Sequence, residues 1–199
     1  MNATVVSVPP RDATLLISER FGPTLQGERV PVADLVAWAL DHPAPLIVIT
    51  GGEPLLQQRH LAPMAEPLLR AGRHLEIETN GTIAPDPALL VDGLRFNVSP
   101  KLANANVPRE RRIKPPALEA LSSSGQAVFK FVACGLDDLD EIAELAERFA
   151  MKQVWVMPEG VTADHVLSRA QLLSEAVIAR GWSLSLRLHV LLWGDERGR

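Results

Sequence analysis

The chain has 199 residues, of which 47% are hydrophobic and 22% charged, and its formal net charge is −4. This composition suits one domain with a substantial core, and the acidic balance argues against a nucleic-acid-binding surface. Cys134 is the only cysteine, which excludes an internal disulfide and any metal or cluster site made from several cysteines of this chain.

The N-terminal residues show no strong structural pattern. Residues 1–13 hold a short apolar patch followed by two prolines, and we expect a loosely ordered arm at the start of a single domain covering 1–199. We see no basic region followed by an apolar core, and no apolar run long enough to cross a bilayer. These features predict a cytoplasmic protein without a membrane partner.

A polar loop precedes the first predicted helix. Residues 15–21 begin as an extended segment, and residues 22–28 follow as a loop with glycine and proline. After Pro31 the apolar residues recur at i, i+3 and i+4 through Leu40, which predicts a helix that ends before Pro43.

The chain is organised around residues 46–56, where an apolar strand opens at Thr50 into a Gly-Gly-Glu-Pro turn, residues 51–54. Two glycines let a bound group approach the backbone N–H groups, and Glu53 offers an anionic acceptor for a cationic or amine-bearing ligand. Pro54 suits the first turn of the next helix. The alternative is an ordinary strand-to-helix connection with a chance Gly-Gly pair.

Strands and helices alternate through the rest of the chain. Strands are predicted at 74–78, 94–98, 127–133, 154–156 and 184–192, and helices at 55–69 (interrupted by Pro63 and Pro67), 137–149 and 163–180. The alternation predicts an α/β fold, with a parallel sheet covered by helices and curled into part of a barrel. Ligands in such folds bind at the carboxyl ends of the strands.

Four strand ends carry polar residues that could form such a site. They are Thr50 to Glu53, Glu78 to Asn80, Ser99 to Lys101, and Met157 to Glu159. Each has an alternative explanation as a solvated carboxylate, a common turn or a strand stop. Their joint occurrence favours a ligand site at one edge of the sheet.

Three other features have structural explanations. Cys134 follows a predicted strand and fits a small buried residue better than a nucleophile. The basic cluster at 109–114 fits a solvated turn better than a phosphate site. His189, within the terminal strand, fits a hydrogen-bonded core histidine, or a substrate-binding residue at a strand end.

Five motifs occur in register along the chain. They are Ser18-Glu19-Arg20-Phe21 with Gln26-Gly27-Glu28, Thr50-Gly51-Gly52-Glu53-Pro54, Glu78-Thr79-Asn80-Gly81, Ser99-Pro100-Lys101, and Leu188-His189-Val190-Leu191-Leu192-Trp193. Together they resemble 7-carboxy-7-deazaguanine synthase, a family of radical S-adenosylmethionine enzymes. The Gly-Gly-Glu-Pro turn is shared across that superfamily, whereas the Gln-Gly-Glu loop and the C-terminal histidine point to this member.

The resemblance implies a partial (βα) barrel of the radical S-adenosylmethionine type that holds a 4Fe-4S cluster. In the family, S-adenosylmethionine is cleaved reductively and the resulting radical abstracts hydrogen from 6-carboxy-5,6,7,8-tetrahydropterin. A magnesium-assisted rearrangement then gives 7-carboxy-7-deazaguanine for queuosine and other 7-deazapurines. The resemblance also implies a homodimer.

The matching motifs imply roles for individual residues. S-adenosylmethionine would be bound by Gly51, Gly52 and Glu53 at its methionine amine, and by Glu78, Asn80, Ser99 and Lys101 at its ribose and carboxylate. The pterin would be bound by Gln26, Gly27, Glu28, Thr50 and His189. Met157-Pro158-Glu159 resembles the turn on the adenine side.

One segment of the family pattern is missing. In the family, the Gln-Gly-Glu loop leads into a barrel strand with a substrate-binding arginine, a Cys-x3-Cys-x2-Cys loop and a magnesium-binding threonine. Here Glu28 is followed directly by Arg29 and the next helix. A 4Fe-4S cluster with one open iron needs three thiolates, so Cys134 alone cannot hold it.

We therefore expect no cluster or magnesium ligands in this chain and no catalysis of the family reaction. Loss of the first barrel strand would leave an unpaired apolar edge on the strand at 46–50 or its neighbour. The same residues fit a mispredicted or deleted version of a true enzyme, a natural isoform with a non-enzymatic role, a cluster-free protein that binds S-adenosylmethionine or a pterin, and a non-catalytic dimer partner of the full-length enzyme.

Overall fold

The structure is a computed structural model that describes residues 4–8, 14–17 and 28–194, with side chains from residue 30 onward. The strands are β1 Thr4–Val8, β2 Thr14–Ile17, β3 Glu28–Pro31, β4 Leu46–Gly51, β5 His74–Thr79, β6 Leu94–Val98, β7 Ala127–Ala133, β8 Val154–Pro158 and β9 Ser183–Leu184. The helices are α1 Val32–Asp41, α2 Gln58–Arg70, α3 Arg109–Arg112, α4 Pro115–Ser123, α5 Leu136–Arg148, α6 Ala163–Ala179 and α7 Leu188–Trp193. Within these residues no helix is long and apolar enough to span a membrane.

The main sheet contains seven strands in the order β1-β4-β5-β6-β7-β8-β9, and every pairing in it is parallel. β2 and β3 form a separate antiparallel pair. The sheet does not close on itself within the described part of the chain. This arrangement confirms the predicted α/β class, and an open parallel sheet is compatible with a partial barrel.

The two faces of the sheet differ in polarity. One face packs against the helices and is formed by alternate strand residues that are almost wholly buried, among them Ile47, Ile49, Leu75, Ile77, Phe96, Phe129 and Phe131. The residues between them point away from this core and include Glu76, Glu78, Asn97 and Lys130. Since side chains alternate along a strand, the apolar pattern that builds the core also fixes which polar residues face the other side.

β1 lies where a loosely ordered arm was expected. It pairs in parallel with β4, from Thr4 beside Ile47 to Val8 beside Gly51. Its Thr-Val-Val-Ser-Val sequence has the β-branched residues that favour strands, and the pairing satisfies backbone groups along β4. The expected edge therefore does not fall on β4, because β1 covers it; among the described strands β1, the neighbour of β4, is an edge strand of the sheet.

The predicted terminal strand is also wrong. β9 has two residues, and the leucine-rich run that follows it forms α7. Val190 is buried, whereas Leu188 and Trp193 are 62% and 48% exposed, so the run does not alternate as a half-buried strand would. His189 is exposed on this helix and is not a core histidine.

α2 continues through both prolines that were expected to interrupt it. Its buried side, with Leu61, Met64 and Leu68, carries no proline. Pro63 is exposed and Pro67 half-buried, so carbonyl groups that lose their helical partner lie near solvent. Packing of the apolar face therefore outweighs the cost of the missing hydrogen bonds.

Candidate ligand-binding cleft

A cleft of about 360 Å³ opens at the carboxyl ends of the central strands. It is lined by Thr50, Gly51, Gly52, Glu78, Thr79, Asn80, Asn97, Ser99, Lys101, Lys130 and Met157. All four polar strand ends identified in the sequence contribute to it, so the structure brings them together as expected. A larger cavity of about 640 Å³ lies near the opposite ends of the strands, lined by residues such as Pro45, His74 and Gln126, and contains none of the predicted site residues.

The other predicted residues fall outside the cleft lining. Glu53 is buried beneath the Gly-Gly turn, and His189 lies on α7. Glu159, expected in the adenine-side turn, pairs with Arg169. Gln26 and Gly27 lie outside the described residues, and Glu28 is described only as backbone in β3.

The Gly-Gly turn exposes backbone to the cleft. Gly51 has φ = +146°, a value that L side chains rarely adopt. A Cβ atom at Gly52 would meet no other atom within 4 Å, so the bare backbone there faces open space. The turn therefore leaves room for a ligand to approach its peptide groups closely.

Glu53 fastens this turn to the end of β5. Its Oε1 accepts hydrogen bonds from Thr79 Oγ1 at 2.8 Å and from Leu55 N at 3.1 Å, and its Oε2 accepts one from Asn80 N at 2.8 Å. The residue is only 7% exposed. A carboxylate has about four acceptor positions, so these three donors use most of its hydrogen-bonding capacity to hold the turn.

Thr50 and Glu78 form a hydrogen-bonded pair in the lining of the cleft. Thr50 Oγ1 donates to Glu78 Oε2 over 2.8 Å, which leaves Oε1 of Glu78 available to a ligand. The two residues end neighbouring parallel strands on the face turned away from the core. The pair connects a position expected beside the pterin with one expected beside the ribose.

The Asn80 turn is shaped by Gly81. Asn80 Oδ1 accepts from Thr82 N at 2.9 Å, which leaves the Asn80 amide NH₂ as a donor. Gly81 has φ = +76°, and a Cβ there would come within 2.9 Å of both Leu118 and Val98. Glycine is therefore required on both conformational and steric grounds.

The loop that carries Lys101 is held by a buried arginine. Arg112 donates to Lys101 O at 2.9 Å and to Val107 O at 3.1 Å, and it pairs with Glu141 at 2.6 Å. Glu141 in turn accepts from Ala103 N at 2.8 Å. The pair thus fastens residues 101–107 beside the cleft.

The expected solvated turn at 109–114 is therefore wrong for Arg112, which is only 7% exposed. Its partner Glu141 comes from α5, together with Glu144, which pairs with Arg109. The signal in the sequence was the acidic helix between 136 and 148. The carboxylates of Glu141 and Glu144 on this helix form ion pairs with Arg112 and Arg109 of the basic cluster.

Asn97 and Lys130 line the cleft but were not among the site residues expected from the sequence, whereas Thr79 lies within the expected strand end Glu78 to Asn80. Asn97 donates to Glu76 Oε2 at 2.7 Å. A usable signal was present, because polar residues at alternate positions of apolar strands must face away from the core. The charged side chains in the cleft lining are then Glu78, Lys101 and Lys130, a set that suits a ligand with both positive and negative groups.

Cys134 lies just beyond β7 and is exposed, not buried as expected. Partial desolvation raises the pKa of its thiol, and the negative charges of Asp138 and Glu159 raise this pKa further. The thiol is therefore protonated at neutral pH, unlike an activated nucleophile.

The residues present do not fit a 4Fe-4S cluster. The chain has one cysteine, and that cysteine does not line the cleft. Among the residues whose side chains are described, no group of three or more His, Cys, Asp or Glu could hold a metal ion. By contrast, the exposed backbone, the acceptors and the two lysines of the cleft fit a zwitterionic small molecule such as S-adenosylmethionine.

The parallel sheet and the cleft at its carboxyl edge define a protein with the fold of the radical S-adenosylmethionine class. The structure of SuiB from Streptococcus suis bound to S-adenosylmethionine has a TM-score of 0.63 and 11% identity, covering 93% of this chain and 50% of that one. QueE from Escherichia coli has a TM-score of 0.65 and 25% identity, covering 86% of this chain and 69% of that one.

Sequence relatives identify the family more narrowly. The 7-carboxy-7-deazaguanine synthase of Pyrobaculum aerophilum is 34% identical over 157 residues, which are 77% of this chain and 67% of the relative. The 7-carboxy-7-deazaguanine synthase of Rhodopirellula baltica is 30% identical over 187 residues, covering 87% and 71%. No protein-family model matches the chain. The chain belongs to the 7-carboxy-7-deazaguanine synthase family, which confirms the resemblance seen in its motifs.

Proposed function

We propose that this chain binds the two small molecules of the family reaction, S-adenosylmethionine and 6-carboxy-5,6,7,8-tetrahydropterin, but does not cleave S-adenosylmethionine. One observation carries this proposal. A cleft with Glu78, Lys101 and Lys130 in its lining surrounds the Gly-Gly turn, in a chain whose single cysteine lies outside that lining.

S-adenosylmethionine fits the part of the cleft between the Gly51-Gly52 turn and Lys101. Lys101 and Ser99 suit its carboxylate, and the backbone carbonyl groups of Gly51 and Gly52 suit its amine. Oε1 of Glu78 and the Asn80 amide suit the ribose hydroxyl groups. The bound cofactor supplies hydrogen-abstraction chemistry only when an electron reaches it.

The pterin would lie beside Thr50. The family motif adds Gln26, Gly27, Glu28 and His189 to this side, where an amide and a carboxylate can read the edge of a pterin ring. The hydroxyl group of Thr50 is already oriented by Glu78, so it presents a fixed acceptor.

We propose no ligands in this chain for the 4Fe-4S cluster or the magnesium ion of the family. A cluster with an open iron takes three thiolates, and this chain has one cysteine, whose pKa is raised. The family's arginine and magnesium-binding threonine belong to the segment missing after Glu28. No radical step is therefore assigned to these residues.

A second candidate function is pairing with another copy of the chain or with a full-length homologue. Leu188, Leu192 and Trp193 on α7 are 62%, 58% and 48% exposed. Apolar side chains grouped on one short helix favour an interface. This role is compatible with ligand binding in the cleft.

Calorimetric titration with S-adenosylhomocysteine, which keeps the amine, carboxylate and ribose, tests cofactor binding. We expect the unaltered chain to bind and Lys101→Met to weaken binding by about tenfold, because a charge-assisted hydrogen bond is lost. Lys152→Met, at an exposed position before β8, is the matched control and should leave affinity unchanged. Equal affinity in the Lys101→Met variant, or no binding by the unaltered chain, would contradict this assignment.

A further inference from the structure

The turn that follows β8, residues 158–160, is held by two arginines from different parts of the chain. Arg169, on α6, donates to Glu159 O at 2.8 Å and pairs with the Glu159 carboxylate. Arg187, between β9 and α7, donates to Gly160 O at 2.6 Å. Two successive carbonyl groups of the turn therefore accept charge-assisted hydrogen bonds, which are stronger than hydrogen bonds between neutral groups.

Gly160 packs closely against α6. It is buried, and a Cβ atom there would lie 2.9 Å from Val166 N and 2.8 Å from Val166 Cγ2. Glycine is therefore needed for the turn to approach this helix. On the other side, Glu159 N donates to Ala133 O at 2.9 Å and continues the pairing with β7. Contacts with β7, with α6 and with Arg187 together determine where the backbone of the turn lies.

The backbone of Arg187 is itself held in place. Its carbonyl group accepts from Val190 N at 3.0 Å and from Leu191 N at 3.2 Å in the first turn of α7. Two residues earlier, Ser185 N donates to Val156 O of β8 at 2.9 Å. The half-buried Arg187 side chain therefore extends from a fixed backbone to Gly160, as an effective positioning residue must.

The turn borders the ligand cleft. Met157, which precedes it, lines the cleft, whereas Glu159 pairs with Arg169 and is not among the lining residues. On this side the cleft therefore meets an apolar thioether and peptide groups, and the nearby carboxylate already has a partner. An uncharged aromatic ring suits such a surface, because methionine sulfur makes favourable contacts with aromatic rings and no free charge is buried.

In the proposed function, the uncharged ring is the adenine of S-adenosylmethionine. We propose that Arg187 is a positioning residue for this base: by holding Gly160 O it fixes the turn beside which the adenine lies, without contacting the adenine itself. This inference rests on the proposed function. It adds a residue that lies outside both the cleft lining and the motifs identified in the sequence.

Two ligands that differ in the base test this role. S-ribosylhomocysteine keeps the amino acid and ribose of S-adenosylhomocysteine but lacks adenine, and ligand-detected NMR titration measures both because it also detects weak binding. Arg187→Met is expected to weaken S-adenosylhomocysteine binding by about tenfold, the effect of losing one charge-assisted hydrogen bond, and to leave S-ribosylhomocysteine binding unchanged. Arg187→Lys keeps a charged donor and should retain most of the affinity for S-adenosylhomocysteine.

Arg70→Met, at an exposed position on α2, is the matched control, and thermal unfolding shows that each variant is folded. Unchanged S-adenosylhomocysteine binding by Arg187→Met, equal weakening of both ligands, or a loss that Arg187→Lys does not restore would overturn the positioning role while cofactor binding stands. Equal affinity of the unaltered chain for the two ligands would also overturn it. Failure of the unaltered chain to bind S-adenosylhomocysteine would overturn the proposed function and this inference together.

Discussion

Replacing Glu53 with alanine is expected to lower the free energy of unfolding by about 3 kcal/mol, because buried donors lose a charged acceptor. The side chain accepts from Thr79 Oγ1, Leu55 N and Asn80 N, and it is only 7% exposed. These donors would have no other partner within the turn. Urea denaturation followed by circular dichroism measures the change.

Glu66→Ala is the matched control for this prediction. Glu66 lies on α2 and pairs with Arg70, and both side chains are mostly exposed. An exposed pair of this kind contributes about 0.5 kcal/mol or less. A loss below about 1 kcal/mol in Glu53→Ala would show that the carboxylate does not fasten the turn to β5.

Replacing Arg112 with methionine is expected to destabilise the protein by about 3 kcal/mol, since the buried carboxylate of Glu141 loses its closer cation and keeps only Arg109, at 3.7 Å. Arg112 and Glu141 have side-chain exposures of 6% and 12%. The carbonyl groups of Lys101 and Val107 would also lose a donor. Amide hydrogen exchange should become faster between residues 101 and 107, because this loop is fastened by the pair.

Arg111→Met is the control, since Arg111 is exposed and adjacent to Arg112 on α3. The double variant Arg112→Met with Glu141→Leu should recover part of the loss, because no unpaired charge remains. If Arg112→Met and Arg111→Met had the same free energy of unfolding and the same amide exchange rates, Arg112 would not stabilise the loop that carries Lys101.

The central strands could be predicted closely from the sequence. β6 and β7 begin and end where the apolar pattern placed them, whereas α5 begins and ends one residue earlier than expected and α6 ends one residue earlier. Strict alternation and helical periodicity are strong local signals, and parallel strands must bring their carboxyl ends to one edge. The gathering of Thr50, Glu78, Ser99 and Lys101 follows from that geometry.

The errors arise where long-range packing decides the outcome. The leucine-rich run of α7 suits a strand or a helix, and only its neighbours decide between them. β1 is a strand because β4 offers it a partner. Arg112 is buried because α5 supplies Glu141, and a contact 29 residues away leaves no local pattern at Arg112.

Membership of the family favours the family reaction, whereas the missing segment argues against it. The sequence relatives put the chain in the 7-carboxy-7-deazaguanine synthase family. The chain has one cysteine, whereas a 4Fe-4S cluster with one open iron takes three thiolates. Our central claim is that this chain keeps the ligand-binding cleft without that chemistry.

Anaerobic reconstitution with iron and sulfide, followed by incubation with S-adenosylmethionine and a strong reductant, tests this claim most directly. A full-length relative with its cysteine loop is the positive control. We expect no retained iron and no 5′-deoxyadenosine from this chain, although S-adenosylhomocysteine still binds. Stoichiometric iron together with 5′-deoxyadenosine formation would contradict it, since a cluster would then have ligands other than the three thiolates this chain lacks.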